Sequence, residues 1–346
     1  MRIPASLFLL ITLFTQACKP DLKDSVHVKA VYHWKSGLEY YRLREFSYAT
    51  KVNNVFIRLF DIKYNPVYGA YPEAKFYVGR GYHSESDSVP AFFDNRQLHY
   101  TPVVYVQEKV LRFVKDTDVD SLASDIVKQV NFMLKKMKFQ NVNELQLDCD
   151  WTGETKQSYF RLVELVKRHW GQRLSVTVKM YQYKYREKMG IPPADRAVLM
   201  CYNLEDLKDS TVENSIFSKA EFDRYMTRNN YPLPLDFALP AFSWARVYIP
   251  GKNVELLSNF TRESLQYFEY DSLSPSTFRV KNDLSEYGKY FPRNTLIIWD
   301  KVDQSDWKHI YQKSLEHINS DTTRYIYYQL NSPIVHELES YLAKYD

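Results

Sequence analysis

The chain has 346 residues, with 46 Lys and Arg against 42 Asp and Glu, so its net charge is only +4. No basic block stands out, which points away from nucleic acid as a partner. Aromatic residues are abundant, with 29 Tyr, 20 Phe and 6 Trp. That suits sugar binding, where rings stack on the apolar faces of pyranoses, but also cores in which Tyr and Phe replace Leu and Val. Composition by itself favours the second.

The N-terminus carries Arg2, an apolar run from Leu7 to Phe14, and then Thr15-Gln16-Ala17-Cys18. This reads as a secretory signal of residues 1–17, too short to span a membrane. A cysteine directly after a small residue resembles the bacterial lipobox, although Thr15 stands where an aliphatic residue is usual. The resemblance implies lipidation of Cys18, a tether of residues 18–25, and a lipoprotein of the bacterial cell envelope, on the outer rather than the inner membrane. A plain secreted protein is the alternative.

Residues 26–346 read as one α/β domain in which strand and helix alternate. The first strand, 26–34, ends in His33-Trp34 and is followed by a helix over 38–50. The second, 54–62, is strongly apolar with Arg58 and Asp61 set into it. Residues 64–97 hold Pro, Gly and Ser-Asp clusters without a period, and are expected to be a long loop or insertion. The third strand covers 101–107. The clearest helix covers 118–137, with apolar residues at Leu122, Ile126, Val130, Met133 and Leu134.

The fourth strand, 143–152, has its helix at 155–170. The fifth covers 173–183, the sixth 196–203 and the seventh 235–244, with a helix expected over 213–227. Residues 247–321 break the pattern and read as a second insertion. The eighth strand covers 324–330 and a closing helix 333–344. Eight near-continuous apolar strands separated by helices imply a parallel sheet closed into a TIM-like (β/α)8 barrel, with insertions after strand two and between strands seven and eight.

Beyond Cys18 the cysteines are Cys149 and Cys201, on predicted strands four and six. Adjacent strands lie about 4.8 Å apart, so alternate ones are roughly 10 Å apart, too far for a disulfide. Two buried thiols are expected. No Cys/His cluster has ligand spacing, so no metal or cofactor is implied.

The stretch richest in chemistry is Gln146-Leu147-Asp148-Cys149-Asp150-Trp151-Thr152. Side chains two apart share one face of a strand, which places Gln146, Asp148, Asp150 and Thr152 together. Two carboxylates on one face of a buried strand are costly unless they bind something or share a proton. They could also merely bridge to Lys179 or Arg58 across the barrel interior. Trp151 falls on the opposite face with Leu147 and is expected to pack rather than stack.

In barrels of this kind, chemistry gathers at the C-terminal strand ends. Those ends carry Trp34, Asp61, Tyr105, Gln107, Asp148, Asp150, Tyr181, Gln182, Tyr202, Asn203, Phe242, Trp244, Gln329 and Asn331. Any one of them is more simply a cap or a wall. Together they are the amide, carboxylate and aromatic rim that a carbohydrate cleft needs.

The strand-four motif resembles the Asp-x-Asp-x-Glu strand of family-18 chitinases. Met200-Cys201-Tyr202-Asn203 is similar to that family's Met-x-Tyr-Asp motif, and Leu239-Pro240-Ala241-Phe242 to its Leu-Pro-x-Tyr element. The likeness spans most of 26–345 but is weak outside these motifs. The chain is closer still to bacterial lipoproteins built on such a barrel, a similarity that supplies no activity. The family resemblance implies an amino-sugar glycan as ligand, with an aspartate that orients the substrate's acetamido group, a tyrosine that supports it, and a glutamate that protonates the leaving oxygen. Asp148, Asp150 and Tyr202 match the two aspartates and the tyrosine.

The acid position, however, is Thr152, the strand-six aspartate is Asn203, and the strand-seven tyrosine is Phe242. A threonine hydroxyl does not titrate near neutrality, and general acid catalysis is worth ~10²–10⁴-fold. Hydrolysis by that route therefore needs another acid. Glu154, Glu108 and Asp61 are candidates, or Asp150 itself if Asp148 stays charged beside it. Three readings stay open: a glycoside hydrolase, a catalytically inactive glycan-binding or scaffold lipoprotein, and a barrel with different chemistry in the same cleft.

Overall fold

Eight parallel strands close on one another in a computed structural model that describes residues 26–38, 40–78, 98–227, 231–330, 332–342 and 344. The signal sequence, Cys18, the tether, residues 79–97 and Asn331 lie outside the described residues. The strands are β1 (Val26–His33), β2 (Asn54–Asn65), β3 (His99–Val106), β4 (Glu144–Asp148), β5 (Arg173–Lys179), β6 (Arg196–Met200), β7 (Leu235–Pro240) and β8 (Thr322–Tyr328). They neighbour one another in chain order, and β1 pairs with both β8 and β2, which closes the barrel. This is the (β/α)8 architecture expected from the apolar strand pattern. Closure pairs each of the eight barrel strands on both sides, and helices cover the outside, so the barrel strands are largely buried on both faces. Every residue of β4 and β7 is buried.

The surrounding helices include α1 (Tyr40–Thr50), α2 (Val119–Met137), α3 (Lys156–Trp170), α4 (Lys219–Tyr225), α5 (Gln304–Ser314) and α6 (Val335–Leu342). On α2 the buried set Val119, Ala123, Ile126, Val127, Val130 and Met133 recurs at three- and four-residue spacing, the stripe that helix geometry lays against a sheet. Helix α3 stops at Gly171, whose φ of 70° is the left-handed turn a glycine adopts without strain.

Several boundaries differ from the sequence expectation, each for a local reason. The fourth strand ends at Asp148 rather than residue 152, because Thr155 turns the chain back and accepts from the Thr152 N–H at 3.0 Å. The fifth ends at Lys179, where Gln182 Oε1 accepts from the Lys179 N–H at 2.7 Å and a short helix, Met180–Lys184, begins. Helix α4 is confined to seven residues, since Ser218 caps it by accepting from the Glu221 N–H.

Residues 64–73, expected to be irregular, instead extend β2 into a hairpin with the strand Gly69–Glu73, antiparallel to it. The second insertion starts earlier than expected, at Trp244. It is an antiparallel five-stranded sheet in which Trp244–Tyr248, Glu255–Ser258 and Leu296–Asp300 are adjacent, with its own apolar core around Val247, Phe278, Phe291 and Ile297.

Two ionic networks fix this frame. At the N-terminal ends of the strands, Arg324 donates to Glu144 at 2.8 and 2.9 Å and to Asp236 at 2.7 and 2.8 Å, while Arg196 reaches Asp236 at 2.8 Å. At the junction of barrel and insertion, Arg246 and Asp300 are both 0% exposed and joined at 2.8 and 3.0 Å. The remaining Arg246 N–H groups go to the carbonyls of Asp209 and Val212 and to the Tyr248 hydroxyl. A buried ion pair is tolerated where every donor and acceptor is satisfied in this way.

Candidate functional site

The C-terminal ends of the strands open into a cavity of about 350 Å³. Nine of the residues singled out in the sequence line it: Trp34, Tyr105, Asp148, Asp150, Tyr202, Asn203, Phe242, Trp244 and Gln329. Tyr32, Arg58, Thr177, Met200, Ser243, Ser258, Asn259 and Tyr328 complete the wall. Tyr32 and Thr177 lie two residues before Trp34 and Lys179, so strand alternation could have found them. Ser258 and Asn259 come from the insertion, and no strand-end signal marks them.

Asp148 is the last residue of β4 and is only 6% exposed. Burial pushes its carboxyl up to about 7, and the neighbouring Asp150 adds to the rise. The hydroxyl of Thr177, which donates to Asp148 Oδ1, and the cations of Lys179 and Arg58 oppose it without cancelling it. Asp148 is therefore split between acid and carboxylate near neutral pH. Asp150, two residues on and past the strand end, is 44% exposed and ion-paired with Lys179 at 2.8 Å. The pair is thus polarised, with the proton resting on the buried member.

Aromatic rings form the rest of the wall. Tyr202 stacks on Tyr328 with centroids 5.3 Å apart, and Phe242 meets both edge-on at 5.8 and 5.5 Å. Trp34 packs against Tyr328 at 5.6 Å and lies under the Arg58 guanidinium at 5.5 Å. Trp244 packs against Phe242 at 5.1 Å and is held by its indole N–H, which donates to Asp300 Oδ2 at 3.0 Å. Burial raises the Tyr105 and Tyr202 hydroxyls well above their ordinary value, so both stay protonated donors. In the same wall, Gln329 Oε1 is a buried acceptor without a hydrogen-bond partner among the described residues.

Other residues expected at the rim have different places. Asp61 is buried but engaged by Arg58, whose Nε donates to it at 2.6 Å, and it does not line the cavity. Gln107 caps the short helix Glu108–Phe113, its backbone N–H bonded to the Ile62 carbonyl at 3.0 Å. Tyr181 and Gln182 both donate to the carbonyl of Trp151, at 3.2 and 2.7 Å, and brace the end of β4 from outside the cavity.

The candidate acids Glu154, Glu108 and Asp61 are also absent from the cavity wall. Glu154 is 77% exposed and pairs with Arg112 at 3.0 Å, the same arginine that holds Glu108 at 2.8 Å. Thr152 turns toward Thr155, their hydroxyl oxygens 3.3 Å apart. Trp151 is fully buried against Tyr159 and Phe160, and Cys149 and Cys201 are buried free thiols on β4's end and β6's end, with β5 between. Among the lining residues Asp148 and Asp150 are the only carboxylates.

The whole chain matches no protein-family model, and none of the curated proteins. Among solved structures it is similar to a chitinase from Chromobacterium violaceum, with a TM-score of 0.57 at 12% identity over 92% of this chain and 99% of that one. The spore cortex-lytic enzyme SleL of Bacillus megaterium gives 0.54 at 12% identity, covering 92% and 74%. SleL of Bacillus cereus gives 0.50 at 11% identity, with the same coverage. The likeness is one of fold.

Proposed function

We propose that this protein binds a glycan in the mouth of its barrel, as an exported lipoprotein held at the cell envelope through Cys18, on the outer membrane. The observation that carries the reading is the pairing of an aromatic wall with carboxylate, hydroxyl and amide groups, one of them a buried acceptor without a partner among the described residues. Trp34, Phe242, Trp244 and Tyr328 offer ring surface, Tyr105 and Tyr202 line the cavity beside them, and Gln329 Oε1 is that buried acceptor. Buried polar groups without partners are rare in folded proteins and cost stability, which a bound ligand's hydroxyl or amide groups would recover. Sugars present both an apolar ring face and such groups. The barrels of similar backbone are by name a chitinase and cortex-lytic enzymes, which supports an amino-sugar glycan.

A second reading, hydrolysis of that glycan, is favoured by Asp148. It faces the cavity and its carboxyl is pushed up to about 7, so it retains a proton to donate while Asp150 stays in its ion pair. It would replace the acid that Thr152 cannot supply.

Calorimetric titration with the N-acetylglucosamine tetramer, and with muropeptide fragments of peptidoglycan, tests the first reading. Saturable binding is expected, weakened about tenfold by Trp244→Ala through loss of ring contact. No binding to either probe would overturn it. Reducing-end release from the tetramer tests the second: turnover abolished by both Asp148→Asn and Asp150→Asn supports it, and absence of turnover in the wild type refutes it. Fractionation tests the anchor. Cys18→Ala should leave the membrane fraction, and continued membrane association would sink the lipidation claim.

A further inference from the structure

The bottom of the barrel, opposite the cavity, carries a concentration of positive charge. In a parallel barrel the helices run against the strands, so helix C-termini and strand N-termini meet on this face. The last turn of α2 brings Lys135 and Lys136, followed by Lys138 in the left-handed cap. The last turn of α3 brings Lys167 and Arg168, and β5 opens with Arg173.

Cations at helix C-termini complement the helix dipole, which accounts for four of these six residues. Lys138 and Arg173 lie beyond the helices and need another reason. Lys167 is matched by Asp195 at 2.5 Å and Arg168 by Glu164 at 3.5 Å. Arg173 lies only 3.9 Å from the buried Glu144, a carboxylate already taken by Arg324. Lys135, Lys136 and Lys138 have no ion pair among the described residues. An open groove between α3 and β5, walled by Lys167, Arg168, Gln172 and Arg173, with Asp195 as its one carboxylate, faces solvent on the same side.

The chain enters the barrel at this end. Val26 is the first residue of β1, and its N–H bonds the Asp321 carbonyl at 2.8 Å, beside the start of β8. Residues 18–25 therefore join the barrel at its bottom face. Fully extended at 3.3–3.6 Å per residue they span roughly 26–29 Å. That is long enough for the barrel to roll on its anchor, so the anchor alone sets no orientation.

We infer that the basic bottom face docks on an anionic lipid surface, so that the barrel stands on the membrane with its glycan cavity pointing away from the bilayer. Resting on the lipid anchor of the proposed function, this assigns an orientation and a partner surface that the anchor does not supply. Each cation close to an anionic bilayer strengthens the attraction by a factor of about five, within a Debye length of the surface. Three lysines and Arg173 without a matching carboxylate of their own are enough to decide which end faces the lipid. The consequence is functional: the reachable glycan is one borne by a facing surface, not the head groups of the anchoring membrane.

The lipidated full-length protein, in vesicles containing 30% phosphatidylglycerol and in vesicles of phosphatidylcholine alone, tests this. A single cysteine is introduced either on the bottom face (Gln172→Cys) or at the mouth (Asn259→Cys) and labelled with a fluorophore, the native Cys149 and Cys201 being buried. Quenching by head-group-labelled lipid is then read. On phosphatidylglycerol vesicles the label at position 172 should be quenched at least twofold more than that at 259. The combined substitution Lys135→Glu, Lys136→Glu, Lys138→Glu should erase the difference while the protein still sediments with the vesicles. Equal quenching at the two positions, or a difference that charge reversal leaves intact, overturns the inference. Failure to sediment with phosphatidylcholine vesicles refutes the anchor instead, and the attraction of the basic face is then read from sedimentation with phosphatidylglycerol vesicles and its loss on charge reversal.

Discussion

Replacing Asp148 by Asn should stabilise the protein at pH 8 and leave it nearly unchanged at pH 4. In the folded state burial holds this carboxyl up at about 7, against an ordinary value of 3.8. A carboxyl raised on folding binds its proton more tightly in the native than in the unfolded chain. Stability is therefore retained in acid, declines as pH rises from about 4 to about 7, and stays reduced above that. Raising the carboxyl from 3.8 to about 7, at ~1.4 kcal/mol for each tenfold change in proton affinity, places the decline at ~4 kcal/mol.

An amide at 148 removes the titration and keeps an oxygen for the Thr177 hydroxyl. Urea denaturation of both proteins at half-unit pH steps isolates the difference, because every other titrating group is shared. The variant should gain several kcal/mol on the wild type between pH 4 and pH 8. A difference that is flat across this range would refute the assignment of the proton to Asp148. Such a cost, borne at neutral pH inside the cavity, is what a group retained for ligand chemistry entails.

Two other perturbations separate frame from site. Asp300→Asn leaves the Arg246 guanidinium buried without its counter-charge and should destabilise by ~3–5 kcal/mol. A loss below about 1 kcal/mol for this variant, read by denaturant unfolding, would remove the pair from the structural frame. Because Asp300 also holds the Trp244 indole, glycan affinity should fall with it. Glu154→Gln touches only an exposed pair with Arg112 and should change stability by less than ~1 kcal/mol and leave glycan titration unaltered. A tenfold loss of affinity would bring Glu154 into the site.

The order and type of the barrel strands were legible because strands covered on both faces are rich in apolar residues, a bias most evident at 54–62 and 235–240. The strand-end rule likewise brought Trp34, Tyr105, Asp148, Tyr202 and Phe242 to one cavity. It failed where the chain leaves the sheet. Thr152 shares the parity of Asp148, but alternation holds only while the strand continues, and β4 ends at Asp148. Gln182 and Tyr181 follow β5 in sequence, yet a helical turn aims them at the Trp151 carbonyl.

By itself, then, the amino-acid sequence determined the barrel and placed the carboxylate pair at the end of its fourth strand, since periodicity and burial are properties of neighbouring residues. Only the tertiary structure decided which acid keeps a proton, for that depends on how far the assembled barrel excludes water from Asp148 and on Lys179 reaching Asp150 from the next strand. It also brought Ser258 and Asn259 from the insertion to the mouth, across a junction held by Arg246 and Asp300. These are long-range consequences of closure, and no local pattern of residues encodes them.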